Sequence, residues 1–121
     1  LGKYMINWIP IVSFEQLQEI TERSQEFPCI IFKHSTSCPI SALAKHRLEN
    51  YWDVETKVAD FYFLDLIRYR DLSNAIAEQY QVRHESPQLL LIRDGKCDYN
   101  SSHLDITAQE TKDQLGVPVN S

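Results

Sequence analysis

Hydrophobic positions along this chain switch repeatedly between strand and helix spacing. Trp8-Ile9-Pro10-Ile11 is a short apolar run, and its proline, which cannot donate to a ladder, predicts an edge strand. Ser13-Phe14-Glu15-Gln16 has the spacing of a capping box, with Val12 and Leu17 placed for a hydrophobic staple. Phe14, Leu17 and Ile20 recur at helical intervals, and the pattern fades at Ser24 before Phe27-Pro28. Pro28-Cys29-Ile30-Ile31-Phe32-Lys33-His34 reads as a buried strand. From Pro39 to about Trp52 the spacing predicts a helix with Ile40, Leu43, Leu48 and Tyr51 apolar. Phe61 to Leu66 is an aromatic strand, and Leu72, Ala75, Ile76 and Tyr80 mark a helix ending near Val82.

The second half turns antiparallel. Arg83-His84-Glu85-Ser86-Pro87 is a turn, and Gln88 to Ile92 is a strand buried on both faces. Asp94-Gly95 is a two-residue hairpin signal, returning the chain through Lys96-Cys97-Asp98-Tyr99 and pairing Cys97 with Ile92. Thr107-Ala108-Gln109-Glu110 is a second capping box, opening a last helix that should stop at Gly116. The predicted order is β-α-β-α-β-α-β-β-α, an α/β class with a central mixed sheet flanked by helices. No linker, repeat or low-complexity tract interrupts it, so residues 1–121 are expected to form one domain.

Between the buried strand and its helix lies Ser37-Cys38-Pro39-Ile40-Ser41. Proline suits the first helical position, where its missing N–H costs nothing. That makes Cys38 the N-cap, beside unpaired N–H groups and the positive end of the helix dipole. Such a place stabilises a thiolate, so Cys38 is expected to ionise more readily than a free thiol. Cys29, in mid-strand, reads as a small hydrophobe, and Cys97 as a core or edge residue of the hairpin. Their number and spacing suggest neither a disulfide framework nor a metal site, and a reducing cytoplasm is the expected compartment. His34, His46, His84 and His103 show no metal-ligand spacing. A net charge of −5 with no basic stripe argues against nucleic acid, and no apolar run approaches the ~20 residues of a membrane span. The N-terminal run Leu1-Gly2-Lys3-Tyr4-Met5 lacks the apolar stretch of a secretory signal, and Leu1 suggests a trimmed end.

The element order, a cysteine capping the second helix and a proline before the hairpin resemble the thioredoxin-like fold over Trp8 to about Leu115. The resemblance implies that Ser86-Pro87 is cis and faces the cysteine. Thioredoxins proper carry Trp-Cys-Gly-Pro-Cys; here Ser37 stands for the tryptophan and Ser41 for the second cysteine. Phe32 stands where thioredoxins often bury an acid. Thr36-Ser37-Cys38-Pro39-Ile40-Ser41 is similar to the YtxJ-type bacilliredoxins, small bacterial proteins associated with the low-molecular-weight thiol bacillithiol. That resemblance implies a monothiol thiol–disulfide oxidoreductase that removes bacillithiol from protein mixed disulfides.

Its site would be Cys38 as nucleophile, with Ser41 and Pro39 tuning it. Ser86, Pro87, Ser37 and His34 would hold the substrate, and the Ser86 backbone would meet the cysteinyl part of the small thiol. Bacillithiol carries malate carboxylates, so a cation is expected nearby; Lys33, His34, Lys45, Arg83 and His84 are the candidates. The expected partners are the small thiol as co-substrate, S-thiolated proteins and a regenerating reductase, with no bound cofactor or metal. The protein is expected to be a monomer or weak dimer. Two alternatives stay open: a glutaredoxin-like protein serving another small thiol or a shared iron–sulfur cluster, and a redox-inactive module holding peptides at the proline.

Overall fold

The computed structural model describes residues 5–118; Leu1 to Tyr4, part of the run considered for a signal, lie outside the described residues. Five strands form one sheet in the order β1-β3-β2-β4-β5. They are β1 (Trp8–Pro10), β2 (Cys29–His34), β3 (Asp60–Asp65), β4 (Gln88–Arg93) and β5 (Lys96–Ser102). The helices are α1 (Phe14–Arg23), α2 (Pro39–Asn50), α3 (Arg70–Gln79) and α4 (Ala108–Leu115). β1 and β2 pair parallel to β3, while β4 runs antiparallel to β2 and to β5. Pro10 sits on the edge strand, where its missing donor breaks no ladder.

Residue alternation on β2 divides the core. Ile30 and Phe32 face Ala44 and Leu48 of α2 and Ala108 of α4, with Trp52 and Phe61. Cys29 and Ile31 face Leu17 and Ile20 of α1 and Leu72 and Ile76 of α3. The hairpin is as tight as its sequence demands: Arg93 pairs with Lys96, and Asp94 and Gly95 take φ of 52° and 76°, the left-handed pair a two-residue turn needs. Cys97 pairs with Ile92 as expected, with a bulge beyond it. Thr107 Oγ1 accepts from the Glu110 N–H at 3.1 Å, and Gly116 ends α4 at φ 76°.

The helix faces differ from expectation in two places. On α2 the buried stripe is Ser41, Ala44 and Leu48, whereas Ile40, Leu43 and Tyr51 are exposed. Two of the three buried positions, Ser41 and Ala44, are small residues, and periodicity weighted by apolar size missed them. On α1, Leu17 and Ile20 are buried but Phe14 and Val12 are exposed, so the predicted staple is not buried. The cap instead works through Gln16, whose Oε1 accepts from the Ser13 N–H at 3.1 Å. β5 also runs three residues further than predicted, into a 3-10 turn at His103–Asp105.

Candidate active site

β2 ends at His34, and a tight turn closed by the Cys38 N–H on the Ser35 carbonyl, at 3.2 Å, carries the chain into α2. Cys38 is the N-cap with extended backbone, and Pro39 is the first helical residue. The Ala42 N–H donates to the Cys38 carbonyl at 3.1 Å, so the helix starts where proline predicted. Cys38 is half-buried, Ser37 and Pro39 are exposed, and the Ser37 hydroxyl lies 3.4 Å from that of Ser35.

The Ser86-Pro87 bond is cis. Lys33 pairs with Gln88 across the β2–β4 ladder, so Pro87 and the turn after His34 lie at the same end of the sheet. Pro87 is buried and Ser86 half-buried. Among the described residues the Ser86 N–H and C=O have no hydrogen-bond partner, whereas the Pro87 carbonyl accepts from the His103 N–H at 3.0 Å. One free N–H and one free C=O at a strand entrance are what an extended thiol-bearing ligand can pair with.

Ser41 is fully buried. Its Oγ lies 2.6 Å from His34 Nδ1 and accepts the Ser35 N–H at 3.0 Å. The Ser41 hydroxyl thus bonds a histidine that the resemblance had placed with the substrate. His34 is itself only 8% exposed, stacked on Phe32 and tilted against Phe63. Burial lowers its pKa from the ordinary value, with Lys45 pushing the same way and Asp65 and Glu49 opposing. It is no surface cation for a carboxylate.

Other proposed cations are also occupied. Lys33 is fully buried; its Nζ donates to the Ser73 carbonyl at 3.1 Å and lies 3.3 Å from His84 Nδ1. Burial pushes the Lys33 pKa down to about 8 and lowers that of His84, helped by Lys33 and Arg70. Lys45 Nζ donates to Glu49 at 2.7 Å, and Trp8 Nε1 donates to the same carboxylate oxygen at 2.6 Å. Arg83 alone of the five is exposed, and its guanidinium has no partner among the described residues. The sequence did not reveal the Lys33–His84–Ser73 cluster, yet a signal was there: Lys33 shares the strand period of Cys29 and Ile31, both core residues.

Cys29 is buried and its thiol pKa is pushed up to about 11, while burial also raises that of Cys97. All three cysteines are free. Among the described residues no cluster of His, Cys, Asp or Glu could hold a metal, and no helix is long and apolar enough to cross a membrane.

Residues 9–111 match the model of a family described as monothiol bacilliredoxin BrxC. A solved structure described as a putative oxidoreductase with a thioredoxin fold is 31% identical, with a TM-score of 0.75 over 88% of this chain and 92% of the other. Thioredoxin from Trypanosoma brucei brucei is 16% identical, at a TM-score of 0.69 over 96% and 94% of the two chains. That of Malassezia sympodialis is 16% identical, also at 0.69, over 96% and 93%. These two show the shared fold alone.

Proposed function

The chain belongs to the monothiol bacilliredoxin family, and on that premise we propose that it removes bacillithiol from protein mixed disulfides through Cys38. The observation that carries this reading is one half-exposed thiol at a helix N-cap, with a buried serine where a resolving thiol would stand. The Cys38 thiolate attacks the bacillithiol sulfur of a protein–S–S–bacillithiol adduct. A Cys38–S–S–bacillithiol bond forms, the old disulfide breaks, and the departing protein thiolate takes a proton from water. A second bacillithiol thiolate then attacks the small-thiol sulfur, releasing Cys38 and bacillithiol disulfide, which a separate reductase returns to thiol. Ser41 cannot resolve the intermediate, and raised pKa values disfavour Cys29 and Cys97 as thiolate nucleophiles.

Two features support the substrate assignment. The unpaired Ser86 backbone offers the pairing a cysteinyl group needs, and Arg83 is the free cation nearby in sequence for malate carboxylates. We assign the reaction to the cytoplasm, where thiols are kept reduced. The test follows protein thiol released from a bacillithiolated model substrate in excess bacillithiol. Wild type should turn over and Cys38→Ser should not. Equal release by both, or none by wild type, removes the reading.

A further inference from the structure

Lys33 and Gln88 are cross-strand partners in the β2–β4 ladder, and both side chains are buried, Lys33 wholly and Gln88 to 1% exposure. Lys33 shares the strand period of Cys29 and Ile31, and Gln88 that of Leu90 and Ile92, so both point to the α1 and α3 side of the sheet. Buried polar groups need partners, and these two find theirs in the loop before Pro87. Gln88 Nε2 donates to the Arg83 carbonyl at 2.9 Å, and its Oε1 accepts from the Glu85 N–H at 3.4 Å. The Lys33 ammonium, which can only donate, lies 3.3 Å from His84 Nδ1. It also donates to the Ser73 carbonyl at 3.1 Å, and Ser73 Oγ lies 3.3 Å from the same ring nitrogen, which ties His84 to α3.

Three consecutive residues, Arg83, His84 and Glu85, are therefore each held from within the core. Beyond Ser86, the Pro87 carbonyl accepts from the His103 N–H at 3.0 Å. Ser86 between them keeps its N–H and C=O unpaired among the described residues. A leucine at either buried position would continue the apolar run of its strand; the polar pair adds a hold on the loop. We propose that Gln88 and Lys33 are positioning residues that fix Arg83, His84 and Glu85, so that the free Ser86 backbone stands ready for the cysteinyl part of the small thiol. This deepens the reading of Ser86 as the docking point of that thiol and rests on it.

Ordering a single backbone residue costs about as much as a tenfold change in affinity, and a loop already ordered spares the ligand that cost. Among the described residues neither side chain bonds Cys38. The hold thus acts on docking and leaves the reactivity of the thiol itself alone.

The test sets loop order beside two rates. In wild type, ¹⁵N relaxation should find the amides of His84, Glu85 and Ser86 as rigid as those of β4, with order parameters of about 0.85; in Gln88→Met they should fall towards about 0.6. Transfer of bacillithiol from a bacillithiolated substrate to Cys38, followed by intact mass, should slow about tenfold in Gln88→Met. Alkylation of Cys38 by iodoacetamide, which needs no docking, should keep its wild-type rate. Lys33→Met, which sheds a buried charge, should stay folded at pH 7.5 and also slow transfer, by a smaller factor because Gln88 still holds its two residues. Stability kept while transfer falls is a pairing that a merely structural role would not give. Loop amides as rigid in Gln88→Met as in wild type, or transfer at the wild-type rate in both variants, overturns the proposal. Alkylation slowed as much as transfer overturns it too. A wild type that moves no bacillithiol, with the loop amides loosened in Gln88→Met as expected, fails the functional reading alone, and the hold on the loop stands.

Discussion

Replacing Lys33 by Met probes a charge buried without a carboxylate among its hydrogen-bond partners. The side chain is fully buried, and among the described residues its ammonium meets only the Ser73 carbonyl and His84. Burial takes its pKa from 10.5 to about 8, a fall worth about 3 kcal/mol at roughly 1.4 kcal/mol per unit. Below pH 8 the amine is charged in both folded and unfolded chains, and the cost of burying it is fully present. Between about 8 and 10.5 the folded chain sheds its proton while the unfolded chain keeps it, so stability rises with pH. Methionine preserves the length and removes the charge, but forfeits bonds worth about 1 kcal/mol each. Lys33→Met should therefore be more stable than wild type by about 1 kcal/mol at pH 7.5, and less stable by about 2 kcal/mol at pH 10.5. Urea unfolding of both proteins at pH 7.5, 9 and 10.5 reads this directly. Cys29 and Tyr62, with pKa values raised to about 11 and about 12, are common to both and largely cancel in the difference. A difference that does not move with pH would refute the argument that burial lowers the pKa of Lys33 in the folded protein.

Three further outcomes follow from the packing. Leu48→Ala should cost about 3 kcal/mol in denaturant unfolding, because its side chain is fully enclosed, whereas Leu43→Ala should cost under about 1 kcal/mol; equal costs would mean the buried face of α2 is wrongly assigned. Gly116→Ala has open space for its methyl group yet a φ of 76°, so thermal unfolding should show a loss of about 1 kcal/mol from backbone strain alone. Brief iodoacetamide treatment at pH 7 should add one label, on Cys38, with Cys29 and Cys97 left as thiols because burial raises both; labelling of either at a comparable rate contradicts their assignment.

The legible parts of this chain were those written in local chemistry. Proline at the start of α2 placed Cys38 at the cap, Asp94-Gly95 fixed the hairpin, and Thr107 and Gly116 bounded α4. The cis bond at Ser86-Pro87 came from family resemblance, since an X-Pro sequence alone leaves the isomer open. Side-chain partners across elements were not legible. His34 and Ser41 are seven residues apart, Lys33 and His84 fifty-one, and only the fold brings them together. Polar residues on a buried strand or helix face were the available sign. Lys33 and His34 close a strand buried at every position, so both had to find internal partners. Ser41 was read by its place in the motif, when its place on the buried stripe of α2 determined whom it touches.

The central claim is tested most directly by intact-mass analysis of the reduced protein mixed with a bacillithiolated substrate, beside its glutathionylated twin and a Cys38→Ala control. The account predicts that the bacillithiol mass moves onto Cys38, faster than the glutathione mass from the twin, and that the control gains nothing. No transfer to wild type, or transfer to the control as well, would contradict it and leave Cys38 as a structural N-cap.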